Sequence, residues 1–165
     1  MDTKVIEKPA HAGFVVEWRD GFRIGVDQVD AEHRHLFVLV KSLNLATVQD
    51  TLGELLDYVV THFTHEQDLM ESSGYPDFRH HLELHEQFST QVADFLSSSS
   101  EWSEERIQEL RKFLNKWLVG HILTHDLRFG RWYVEHGRPT APVNRVVFNA
   151  PKPKVGWFDR FLGRG

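Results

Sequence analysis

HFTHEQDLMESSGYPDFRHHLELHE, residues 62–86, decides how this chain folds. His62 and Glu66 stand four residues apart, as do His81 and His85, and on an α-helix each pair projects from one face. Between the pairs, Gly74 and Pro76 break the helical pattern, so one helix ends there and a second returns beside it. Two pairs of metal-binding side chains on adjacent helices amount to half of a metal site inside a helix bundle.

The other half flanks this hairpin in the sequence. His33 lies in VDAEHRHLF (29–37), and His121 lies in WLVGHILTHD (117–126). A first helix is expected from Asp30, as its N-cap, to about residue 45. A second is expected over 49–72, with Leu52, Leu55, Leu56, Val59, Val60 and Phe63 as its apolar stripe. A third should cover 77–97, and a fourth should open at Ser103, ahead of Glu104 and Glu105, and continue to about 135. Helices of these lengths with short connections predict an all-α, up-down-up-down antiparallel four-helix bundle. Residues 14–28, FVVEWRDGFRIGVDQ, mix aromatics with glycine and read as an N-terminal arm laid over the bundle. The domain reading is therefore a leader (1–13), a bundle (14–136) and a proline-interrupted C-terminal tail (137–165).

Spacing leaves one partner open. His121 and Asp126 are five residues apart, which an ideal α-helix separates by about 140°, so spacing alone favours His125 as the partner of His121. His11, His35, His65, His80 and His136 fall outside the pattern and read as ordinary structural or surface histidines.

Composition narrows the chemistry. With no cysteine there is no disulfide and no iron–sulfur cluster, so nitrogen and oxygen must hold any metal; eleven histidines can. Seven candidate ligands exceed the usual tetrahedral need of zinc. Residues 134–165 hold six basic and two acidic side chains, a net +4, which leaves −9 on residues 1–133 against the overall −5. An acidic body argues against a nucleic-acid partner. The sequence has no membrane-length apolar run and no signal-peptide core at its start, so a cytoplasmic location is expected. No Gly-rich phosphate loop or nucleophile elbow appears, and no enzyme activity is expected.

From Trp18 to about Phe129 the chain resembles the hemerythrin family, and most of all its single-domain bacterial members. The segments that carry the resemblance are the arm with Trp18 and Gly25, VDAEHRHLF, HFTHEQDLM, YPDFRHHLELHEQF (75–88) and WLVGHILTHD. The resemblance implies two non-haem iron ions. It makes His81, His85 and His121 ligands of one iron and His33 and His62 ligands of the other, with Glu66 and Asp126 as bridging carboxylates; this selects Asp126 over His125. Gln67 departs from the pattern, which usually has a second acid there, at a position that is not a ligand. If each iron is six-coordinate, these groups and one bridging solvent oxygen fill every position but one, on the two-histidine iron. The implied function is reversible O2 binding at that open position, for oxygen storage, delivery or carriage, with NO or peroxide as other small ligands. Leu36, Trp117 and Leu118, each about a turn from a histidine ligand, should wall the O2 pocket. A site rich in neutral imidazole, unlike the four-glutamate carboxylate bundles, should favour capture of O2 over cleavage of its bond. The alternative is an O2/NO or redox sensor or signalling adaptor that uses the same di-iron site and the tail.

In the tail, Trp157, Phe158, Phe161 and Leu162 fall on one face of a short helix flanked by Arg160 and Arg164. Residues 154–165 read as a disordered end or a segment folded back on the bundle, or, as the alternative, a contact for a protein partner. A single short helix of this kind binds lipid weakly, so membrane association is not expected.

Overall fold

The computed structural model describes residues 15–98 and 101–137. The leader 1–13, the tail beyond residue 137 and the proposed partner segment 154–165 lie outside the described residues. The described chain is helical, with four long helices: α1 (Asp27–Ser42), α2 (Val48–Ser73), α3 (Phe78–Ser97) and α4 (Glu104–His121). A π-turn, Ile122–Asp126, carries α4 into α5 (Leu127–Trp132), and a second π-turn, Tyr133–Gly137, follows. The short connections fold α1 to α4 as an up-down-up-down antiparallel four-helix bundle. Among the described residues, no helix is long and apolar enough to cross a membrane.

Local chemistry sets the helix ends. Gly74 adopts a left-handed conformation (φ 74°) after α2, and Tyr75 N–H returns to the Met70 carbonyl at 2.9 Å, closing the helix end. The Ser103 side chain accepts from Arg106 N–H at 3.1 Å, an N-cap for α4. Arg111, buried on α4, donates to the carbonyls of Val40 and Leu43 and so ties down the end of α1. In the α2 stripe Leu52, Leu55, Leu56, Val59 and Phe63 are buried, and Val60 is half-buried.

Two boundaries differ from expectation. The first helix begins at Asp27, not Asp30, and runs only to Ser42. Asp30 does not cap it. Its carboxylate accepts the N–H groups of Ile24 and Gly25, at 2.8 and 3.2 Å, and so pins the arm against the first turn of α1. A carboxylate seeking N–H groups near a helix start is cap chemistry, redirected from the helix to the arm. The arm accordingly ends at Val26, and Asp27 and Gln28 belong to the helix. The fourth helix, expected to be continuous, is interrupted by its π-turns.

The arm packs closely. Phe22 stacks on Phe37 with centroids 5.4 Å apart, and Phe22, Ile24 and Val26 are buried. The Ile24 backbone rests directly on Gly130, where any Cβ would collide with the Ile24 carbonyl. Gly130→Ala should therefore lift the arm and cost about 1–3 kcal/mol, the usual range for overpacking. Urea unfolding would read it; an unchanged midpoint would mean the arm does not need this contact.

Candidate metal centre

Four helices deliver seven side chains to one buried point. α1 supplies His33, α2 supplies His62 and Glu66, α3 supplies His81 and His85, and α4 supplies His121 at its last residue. Asp126 closes the π-turn that follows. There, Leu127 N–H bonds the Ile122 carbonyl five residues back, so residues five apart overlie one another. This resolves the spacing problem: a π-turn brings Asp126 onto the face of His121, where an α-helix would have brought His125. The His125 ring stays 5.4 Å from that of His121 and joins neither ligand group.

The polar atoms form two groups that share both carboxylates: Glu66, His81, His85, His121 and Asp126 on one side, and His33, His62, Glu66 and Asp126 on the other. Each carboxylate sends one oxygen to each side. Glu66 Oε1 lies 2.5 Å from His81 Nε2 and 3.4 Å from His85 Nε2, while Oε2 lies 3.4 Å from His62 Nε2 and 3.8 Å from His33 Nε2. Asp126 Oδ1 is 3.1 Å from His81 Nε2 and 3.0 Å from His121 Nε2, and Oδ2 is 3.0 Å from His33 Nε2. All seven residues are buried, with Glu66 fully so.

The residues fit a metal site. All four carboxylate oxygens are buried and lack a partner in hydrogen-bond geometry. Two anionic groups in a dry interior need cationic compensation. Five imidazole nitrogens and four oxygens, with no sulfur, suit a divalent metal such as iron. Asp126 and Glu66 also hold the proton tightly on two histidines: burial alone would push His33 and His81 down, but these carboxylates raise each to about 9. His85 goes the other way, to about 4, because burial and the neighbouring His121 and His81 outweigh Glu66.

These shifts predict a pH dependence. In the metal-free chain, His33 and His81 are charged in the fold at pH values where the unfolded chain has lost the proton. Their stabilisation is complete below about 6.5 and is lost as pH rises through about 9, on the order of 3 kcal/mol for each. The depressed Glu66, Asp126 and His85 act at lower pH, outside this window. The metal-free melting temperature should therefore fall from pH 6.5 to 9, whereas a loaded protein, with metal in place of those protons, should hold its own. A metal-free chain that gained stability over that range would contradict this proton bookkeeping.

Neighbours fix the rings. Phe63 stacks flat on His85, centroids 3.7 Å apart, and Trp117 stacks on His121 at 4.3 Å. His62 Nδ1 donates to Glu32 Oε2 at 2.6 Å, and His85 Nδ1 faces the Gln67 amide at 3.1 Å. Sequence reading missed Glu32; a contact across thirty positions leaves no periodic trace.

A cavity of about 20 Å³ adjoins the cluster, enough for one molecule the size of water or a diatomic gas. Leu36, Trp117 and Leu118 all line it, together with Phe63, Phe88 and Leu114, which the sequence reading did not assign to the pocket. Phe88 is one turn beyond His85 and Leu114 one turn before Leu118, so helical spacing carried a usable signal for both. On the cluster side the cavity meets His33, His62, His121 and Asp126. Trp117 and His121 also line a surface groove with Phe113, Lys116 and Gly120, so the Trp117 ring stands between cavity and surface.

A family model described as the hemerythrin HHE cation binding domain matches residues 24–133. Bacteriohemerythrin of Stenotrophomonas maltophilia (strain R551-3) is 32% identical over 154 residues, covering 89% of this chain and 95% of the relative. Bacteriohemerythrin of Clostridium acetobutylicum is 33% identical over 125 residues, 68% of this chain and 96% of the relative. A crystal structure of wild-type hemerythrin superposes with a TM-score of 0.63 at 28% identity, covering 72% of this chain and 97% of that one.

Proposed function

The chain belongs to the hemerythrin family, and from that premise we propose that its buried cluster holds two non-haem iron ions and serves reversible O2 binding, as a cytoplasmic oxygen store or carrier and not as an enzyme. His81, His85 and His121 would hold one iron and His33 and His62 the other, with Glu66 and Asp126 bridging. Bound there, a ferrous pair would supply the electrons for reversible capture of O2.

The observation that carries this reading is the position of the cavity. It borders both His33 and His62 of the half with one ligand fewer, and of the three histidines on the other half only His121. A diatomic molecule in it would meet the open side of that half. Leu36, Leu118 and Phe63 give the cavity an apolar wall, which excludes water and slows escape of a small ligand. Neutral imidazoles outnumber the carboxylates, which supports binding over bond-breaking chemistry.

A second reading, O2/NO or redox sensing, draws support from the surface groove that half-buried Trp117 lines over the buried His121, where a partner could register change at the site.

Metal analysis of the anaerobically iron(II)-loaded, desalted protein tests the ligand assignment. His62→Ala should lose iron, whereas His35→Ala, at an exposed position outside the cluster, should retain two ions per chain. The reverse pattern would contradict the assignment.

A further inference from the structure

The layer of side chains behind the cluster is built differently in its two halves. Behind His62 stands a carboxylate: Nδ1–H donates to Glu32 Oε2 at 2.6 Å. Behind His85 stands a neutral amide, that of Gln67, at 3.1 Å from Nδ1. The Gln67 atom placed there is Nε2; with the amide flipped its oxygen would face an Nδ1–H and leave His85 Nε2 free for a metal, and in either orientation Gln67 brings no charge.

Glu32 is well fixed. It is buried, and its second oxygen accepts from His65 Nδ1 at 2.8 Å and from Gln28 Nε2 at 3.1 Å. The carboxylate cannot turn away from His62 without disturbing these bonds. A carboxylate that accepts the Nδ1–H of an imidazole selects the tautomer, orients the ring and makes Nε2 a stronger donor.

The two halves also differ in supply. One has three histidines besides the shared carboxylates, and the other has only His33 and His62. The anionic support therefore falls on the half poorer in ligands. Resting on the reading that the cluster holds two metal ions, we propose that Glu32 is a positioning residue that compensates for the missing third histidine, sustaining metal binding at the His33–His62 half in particular. The three-histidine half binds first and does not depend on Glu32.

Cobalt(II) is a suitable probe, since it accepts nitrogen and oxygen ligands and reports its surroundings by visible absorption. Full-length metal-free protein is titrated by equilibrium dialysis, with metal analysis giving two stepwise affinities. Glu32→Gln keeps the shape and removes the charge; Glu32→Asp keeps the charge and shortens the reach. Helical circular dichroism and the unfolding midpoint check that each variant folds. Wild type should bind two ions. Glu32→Gln should leave the first step within about twofold and weaken the second on the order of 10- to 100-fold, the usual effect of losing a ligand's outer partner. Glu32→Asp should fall between Glu32→Gln and wild type, and it carries the test alone if Glu32→Gln does not fold. An unchanged second step, or equal weakening of both steps, would overturn the role given to Glu32. A wild type that binds fewer than two ions would instead overturn the two-metal reading on which this rests.

Discussion

Glu66→Ala should leave the protein unable to retain iron in either half of the cluster. Glu66 touches both: Oε1 faces His81 and His85, and Oε2 faces His33 and His62. Its loss removes one of the two shared carboxylates and half of the buried negative charge that would balance the metals. Taking one partner out of a buried ionic network costs on the order of 3–5 kcal/mol, which corresponds to roughly a hundred- to several-thousand-fold in affinity. Iron retained after desalting should drop from two ions per chain to near none. Glu66→Gln, which keeps an oxygen but no charge, should fall between. Two ions retained by Glu66→Ala would mean that the carboxylate is not a bridge.

The second large effect is expected at Trp117. Its ring lies between the internal cavity and the surface groove and stacks on His121. Trp117→Ala should join the two spaces and admit water to the cavity. The iron-loaded protein should then lose its reversible response to air at least about tenfold faster, because the apolar shell governs solvent access to a metal centre. Trp117→Phe keeps a ring in the wall and should stay near wild type. Stopped-flow absorption over repeated air cycles measures this loss, and an unaltered rate in Trp117→Ala would show that the wall lies elsewhere. Stability should fall as well, toward the low end of the 3–5 kcal/mol typical of an aromatic-to-alanine change, since Trp117 is only half-buried.

Much of this was legible in the sequence because it is periodic. His62 with Glu66 and His81 with His85 recur at helical spacing around a Gly74–Pro76 break, and that alone implies a hairpin with a polar interior. The wall residues Leu36, Trp117 and Leu118 were found the same way, one turn from a histidine. Where helical periodicity failed, the reading by spacing failed with it. Asp126 reaches its place through a π-turn, and five-residue spacing on an assumed α-helix pointed to His125; resemblance to known proteins, not spacing, selected the aspartate. The contacts of Glu32 and Gln67 were illegible for another reason: they reach across helices to Nδ1 atoms 30 and 18 positions away, and nothing local marks such contacts. Asp30 was read as a helix cap from sound chemistry, but the N–H groups it takes belong to Ile24 and Gly25.

An absorption spectrum decides whether the site binds O2 reversibly. The anaerobically iron(II)-loaded protein is scanned before air, after air and again after the oxygen is removed. A visible charge-transfer band that rises with air and disappears on deoxygenation, over repeated cycles, is the predicted result. Immediate and permanent conversion to the oxidised form, with no recovery on deoxygenation, would contradict a carrier and move the site to redox sensing.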